Sequence, residues 1–179
     1  AIAAPVIAEA LGPSTKSEDV GRRQRVDSGS PLRSEVSRWM GALGIGDFDV
    51  YIGERHPNAV RGIADDKPAL VIGQAIATPL DIGGRMAVAR EVFALRHGNT
   101  CVLYHDDKTV ASIAFAVCKD AGINIQEPPY AVYKEVERLI RKAMSRRVRN
   151  KVRPVCEQLI QSRQDVIHWV GAALRSIDR

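Results

Sequence analysis

Aromatic residues make up only 5% of this 179-residue chain, and it has three cysteines. Cys101, Cys118 and Cys156 are odd in number and lie 17 and 38 positions apart. They contain no C-x-x-C pair to start a zinc site and imply no disulfide framework, so reduced thiols and a cytoplasmic location are expected. No apolar run approaches the roughly 18 residues of a membrane span, the longest being Val110 to Cys118, which predicts a soluble protein. The glycines form neither G-x-G-x-x-G nor G-x-x-x-x-G-K, which removes the usual nucleotide loops. The opening AIAAPVIAEALG has no basic n-region and starts on Ala1 rather than Met, so the chain reads as a processed or truncated piece.

What is present is an ordinary globular balance, 45% hydrophobic and 26% charged. A domain of this length buries roughly 70% of the surface its unfolded chain exposes and needs no cross-links. The net charge is 26 − 21 = +5. From Lys134 to Arg179 there are 12 basic and 5 acidic residues, a net +7, so everything before Lys134 sums to −2. The basicity is therefore local, as on a face for an acidic partner or simply a solvated helix.

Residues 1–30 hold small residues and then a polar run with no sustained apolar period, which reads as an arm or linker ahead of a domain over 31–179. Ser30-Pro31 is an N-cap followed by proline at the first helical position, and Val36, Trp39, Met40 and Leu43 carry a helix over 31–43. Phe48, Val50 and Ile52 alternate as a strand, and Val60–Ala64 and Ala69–Ile72 read as two more. A helix follows from Leu80 to His97, stopped by Gly98. Cys101 to Tyr104 reads as a short strand or a turn of helix. Asp106 or Asp107 caps a helix ending at Gly122, whose apolar VASIAFAVC suits a central buried element. Beyond Pro128-Pro129, helices are expected over 130–150 and 155–177, with Pro154 between them. The fold class is α+β, mostly helical, with a small sheet packed on a central helix.

The segment from Pro57 to Asn99 resembles the heart of a zinc-metallopeptidase family, that of the CAAX-processing and heat-shock membrane-quality-control proteases. In that family an Asn-Ala turn, a strand and a loop precede a helix of the form A-H-E-x-x-H. Asn58-Ala59, the strand Ala69–Ile72 and the run Ala89-Arg90-Glu91-Val92-Phe93-Ala94 stand in that order here. The resemblance implies a gluzincin-like fold. It also implies that the ligand positions have been lost, because Arg90 and Ala94 replace the two histidines and only Glu91 remains. If Asp178 matches the family's late aspartate, Leu174 replaces the third ligand, and the chain stops inside the family's domain. Imidazoles at i and i+4 hold zinc while the glutamate polarises its water; a guanidinium and a methyl do neither. No metal, no cofactor and no hydrolysis are expected. Arg90 and Glu91 then read either as ordinary ions that reach the surface or pair with neighbours, or as a vestigial cleft in which Arg90 holds a carboxylate or phosphate of a ligand.

None of His56, His97, His105 and His168 has a partner at ligand spacing. His105-Asp106-Asp107 reads as a helix start, and Cys101 with His105 is a weak thiol–imidazole pair. The feature above background is a basic run: eight Lys or Arg and no acid between Arg138 and Arg153. On one helix Arg138, Arg141, Lys142, Arg146, Arg149 and Arg153 would share an arc of about 140°. Such a face suits an acidic protein, a nucleic acid or an anionic lipid surface. No aromatic lies within it to stack on bases, and no nucleic-acid-binding signature accompanies it. The expectation is a non-catalytic scaffold that binds another protein, with a nucleic-acid-binding module as the alternative.

Overall fold

The computed structural model describes residues 2–15, 21–76, 79–161 and 166–177. It is α+β and mostly helical, and it divides into two compact units, Gly12–Thr100 and Ala1–Leu11 with Cys101–Arg179.

The first, a sheet unit, holds β1 (Arg23–Arg25), α2 (Pro31–Ala42), β2 (Asp49–Gly53), β3 (Val60–Ile63), β4 (Ala69–Gly73) and α3 (Ile82–His97); α1 (Ala4–Leu11) belongs to the second unit. The strand order is β1-β2-β4-β3. β2 and β4 are parallel in the register Asp49↔Ala69 to Gly53↔Gly73, and β1 and β3 add antiparallel edges. Every residue of β4 is buried, which is why ALVIG is continuously apolar rather than alternating. Val50, Leu70 and Ile72 meet Leu32, Val36 and Met40 of α2 and Val88 and Val92 of α3, while Ile63, Ala69 and Val71 cluster with Tyr51 on the other face.

The helix starts follow the capping chemistry in the sequence. Ser30 Oγ accepts from the Arg33 N–H, with Pro31 next, and Asp81 Oδ1 accepts from the Gly84 N–H at 2.6 Å. Gly98 ends α3 at φ 70°, the left-handed conformation that a side chain would disfavour.

The second, a helical unit, is centred on α5 (Asp107–Asp120), against which α6 (Tyr133–Ala143), α7 (Arg146–Gln161) and α8 (Val166–Ile177) pack. Asp106 caps α5 through the Thr109 N–H, as its position predicts. Cys101 to Tyr104 falls in a short helix, α4 (Thr100–Tyr104). The buried apolar helix is α5, and the sheet packs on α2 and α3.

Two sequence expectations need correction. The stretch read as an arm contains α1, which places Val6 in the helical core, and β1, which pairs with β2. Arg23 also donates to the Thr15 carbonyl at 2.6 Å, and Thr15 bonds to Asp65, tying the approach to β1 onto the sheet unit. Part of the polar run, 16–20, lies outside the described residues.

The second correction concerns the basic run, which is not one helix. α6 ends as Met144 turns extended, φ −75° and ψ 107°, and the Ser145 hydroxyl caps α7 by accepting from the Val148 N–H at 3.3 Å. Pro154 sits inside α7 rather than between helices. Its missing N–H costs about 3 kcal/mol in an isolated helix, but burial of Val152 and Cys156 on either side of it offsets that cost.

Candidate functional site

The positions suggested by the metallopeptidase resemblance are divided between the two units and differ in burial. Arg90 is exposed on α3, Ala94 is fully buried, and Glu91 is only 4% exposed. Leu174 is on α8 of the helical unit, packed against that unit's core. The Glu91 carboxylate has a structural duty: Oε2 accepts the Gly62 N–H at 2.8 Å. β3 is an edge strand, and α3 brings the carboxylate to this amide. Among the described residues no group of three or more His, Cys, Asp or Glu could hold a metal ion. Cys101 is no better placed for nucleophilic chemistry, since burial pushes its thiol up to about 11.

The basic run is the better candidate, although the break at 144 and 145 divides it into two groups. Three of its six proposed contact residues are already used inside the helical unit. Arg141 donates to Glu137 at 2.8 Å, Arg149 grips Asp120 at the end of α5 at 2.6 Å, and Arg153 pairs with Glu157 at 3.0 Å. The Arg149 contact joins α7 to α5 and is a clamp of the fold. By contrast Arg138, Lys142 and Arg146 are exposed, as are Arg147 and Lys151, and none of these five pairs with an acid among the described residues.

Arg138 and Lys142 line a groove of about 490 Å³ with Lys119, Lys134, Glu137 and Arg141. Lys119 comes from the last turn of α5, and the others lie along α6. Glu137 is buried at the base, where Lys119 reaches it at 3.0 Å and Lys134 at 3.8 Å. Glu127, from the irregular segment between α5 and α6, places one carboxylate oxygen 2.5 Å from Lys119 Nζ and the other 2.5 Å from Lys134 Nζ. The bond from Lys119, and then that from Lys134, holds the Glu127 carboxyl down to about 2, while Glu127 and Glu137 raise Lys119. Compared with family models, curated proteins and solved structures, the chain matches none. The site must therefore be read from its own chemistry. Two carboxylates share three cations, and Arg138 and Lys142 pair with no acid among the described residues.

Lys119, Glu127 and Lys134 are absent from the sequence-level candidates. Lys134, Arg138 and Lys142 repeat every four residues and so share one helical stripe, a signal legible in the sequence. Lys119 and Glu127 join them only through the packing of α5 on α6.

Tyr133, whose ring lies near Lys119 and Lys134, is 1% exposed, and its hydroxyl has no hydrogen-bond partner among the described residues. Lys119 and Lys134 lie 5.9 and 5.6 Å from its ring centroid, so the ring is an apolar neighbour of both cations. An unmade hydrogen bond contributes nothing once its hydroxyl is buried. Tyr133→Phe is expected to leave stability unchanged or raise it by up to about 1 kcal/mol, as read from the urea midpoint. A loss of that size would show that the hydroxyl is bonded.

Proposed function

We propose that the chain is a non-catalytic binding protein on a metallopeptidase-like α+β scaffold, acting through contacts with acidic surfaces of other proteins. The observation that carries this reading is the set of five exposed cations on α6 and α7 that pair with no acid among the described residues. Exposed like charges repel one another at a cost to the fold, and an acidic partner relieves that repulsion while steering association. The engagement of Glu91 with Gly62, together with the loss of histidines at positions 90 and 94, supports a role without hydrolysis.

The same cations support a second reading, nucleic-acid binding, which predicts a different salt response. Neutralising five phosphates of a single strand should cost roughly a hundredfold in affinity between 50 and 200 mM salt.

The test is titration of fluorescent polyglutamate and of single-stranded RNA of equal charge into the whole protein and into the triple variant Arg146→Glu, Arg147→Glu, Lys151→Glu. The variant is expected to melt normally and to bind polyglutamate at least about tenfold more weakly. Tighter binding to RNA with the steep salt response would replace the protein-docking reading. Stoichiometric zinc in the purified protein would overturn the non-catalytic one.

A further inference from the structure

We infer that the groove between α5 and α6 is a seat for an extended acidic segment of a partner protein, and that Glu127 is the chain's own competitor for the first position in it. This rests on the reading of the basic face as a docking site for acidic protein, and adds where the segment lies and what regulates it.

The geometry supplies a template. The Glu127 carboxylate bridges Lys119 and Lys134, one oxygen to each, which shows how a peptide carboxylate is held at one end of the groove. Lys134, Arg138 and Lys142 then recur at i, i+4 and i+8 along the outer stripe of α6, about 6 Å apart at 1.5 Å per residue. Alternate side chains on one face of an extended peptide are about 6.6 Å apart. A segment with acids at alternate positions therefore places one carboxylate by Lys134 and the next two by Arg138 and Lys142, the two seats that no acid of the described chain fills.

Glu137 does not fill those seats. It lies buried at the base, takes Arg141 and Lys119, and holds the groove walls in place. The lining is five cations and one carboxylate, a net +4, and Glu127 reduces this only to +3. The residual charge favours a multiply acidic occupant over a neutral one.

Glu127 is exposed in an irregular segment, so a partner can displace it without unfolding a helix. While it is in place, the apparent affinity of any segment needing that seat falls by the fraction of molecules with the seat open. The charge network thus sets a threshold that only segments with several correctly spaced acids overcome.

The experiment uses the full chain and a fluorescein-labelled peptide of alternating Glu and Ser, with a peptide carrying the same glutamates in one block and a single-stranded RNA of equal charge as comparison arms. Wild type should prefer the alternating peptide. Glu127→Gln should raise its affinity by roughly three- to tenfold. Arg138→Glu with Lys142→Glu should lower it by at least about tenfold, with unchanged melting, because neither residue supports the fold. Peptide binding that is weakened by that reversal but unaffected by Glu127→Gln would overturn the competitor role alone. Equal binding of alternating and block peptides would overturn the extended-segment register. Binding indifferent to the reversal but lost in the Arg146→Glu, Arg147→Glu, Lys151→Glu variant would overturn the seat alone, and no peptide binding to the wild-type protein would overturn both the seat and the reading of the basic face. Preference for RNA at matched charge would assign the groove to nucleic acid.

Discussion

Gly73→Ala is expected to destabilise the sheet unit by about 3 kcal/mol or more, enough to remove a large share of the stability of a typical domain. Gly73 ends β4, where the chain crosses the turn before β3. A Cβ placed there would lie 2.2 Å from the Pro57 carbonyl oxygen and 2.3 Å from that of His56. These are backbone atoms, already fixed by the Gly73 N–H donating to Ala59 O at 2.8 Å and the Ala75 N–H donating to Pro57 O at 2.9 Å. No side chain can swing aside to make room, so the turn must move and break bonds that join β3 to β4. The glycine is there for close approach, not for an unusual backbone angle. Gly41→Ala supplies the contrast. That glycine lies in α2 with open space around its would-be Cβ, and the alanine is expected to stabilise by about 0.5–1 kcal/mol through helix propensity. Urea unfolding followed by circular dichroism reads both. A Gly73→Ala protein as stable as wild type would mean that the 56–59 turn yields freely.

The elements that the sequence announces are those whose chemistry is local. Ser30-Pro31, Asp106 and Gly98 mark helix ends because each satisfies a cap with its own side chain or backbone conformation, and the structure places them there. β2, β3 and β4 are legible because their apolar residues must face a core from a pleated backbone. β1 is not. Arg-Gln-Arg has no apolar face, and it becomes a strand only because β2 offers an edge in the register Arg23↔Gly53. α1 is too short to hold itself together and owes its place to packing of Val6 into the helical core.

The same division explains the candidate site. The excess of charge over 138–153 is visible as composition, but its use depends on tertiary contacts. Pro154 reads as the boundary in the sequence because proline is a strong local signal, yet it lies inside α7. The actual break follows Met144, whose burial, together with the Ser145 cap, turns the chain within a stretch that lacks both glycine and proline. Once Asp120 and Glu157 claim Arg149 and Arg153, and Glu137 claims Arg141, the free cations are a different set from the one that a single helix would display. The groove itself depends on Glu127, eight residues beyond Lys119 and seven before Lys134, and no periodicity links the three.

Glu91→Ala is expected to cost roughly 2–3 kcal/mol, because the carboxylate serves the fold. A glutamate beside a first metal ligand would need its carboxylate free for water. Here the carboxylate is buried and accepts the N–H of Gly62 on an edge strand. Truncation removes a charge-assisted bond and leaves the apolar Leu95 side chain, whose Cγ would lie 3.1 Å from a Cβ at Gly62, beside the space that the carboxylate filled. Glu91→Gln keeps an amide oxygen able to accept the same N–H, so it should recover at least half of the loss. Hydrogen exchange gives a local readout: the Gly62 amide should be protected in wild type, partly protected in Glu91→Gln and fast in Glu91→Ala. If Glu91→Ala instead unfolds at the wild-type urea concentration with Gly62 still protected, the carboxylate is not what holds β3 to α3, and position 91 is free for chemistry after all.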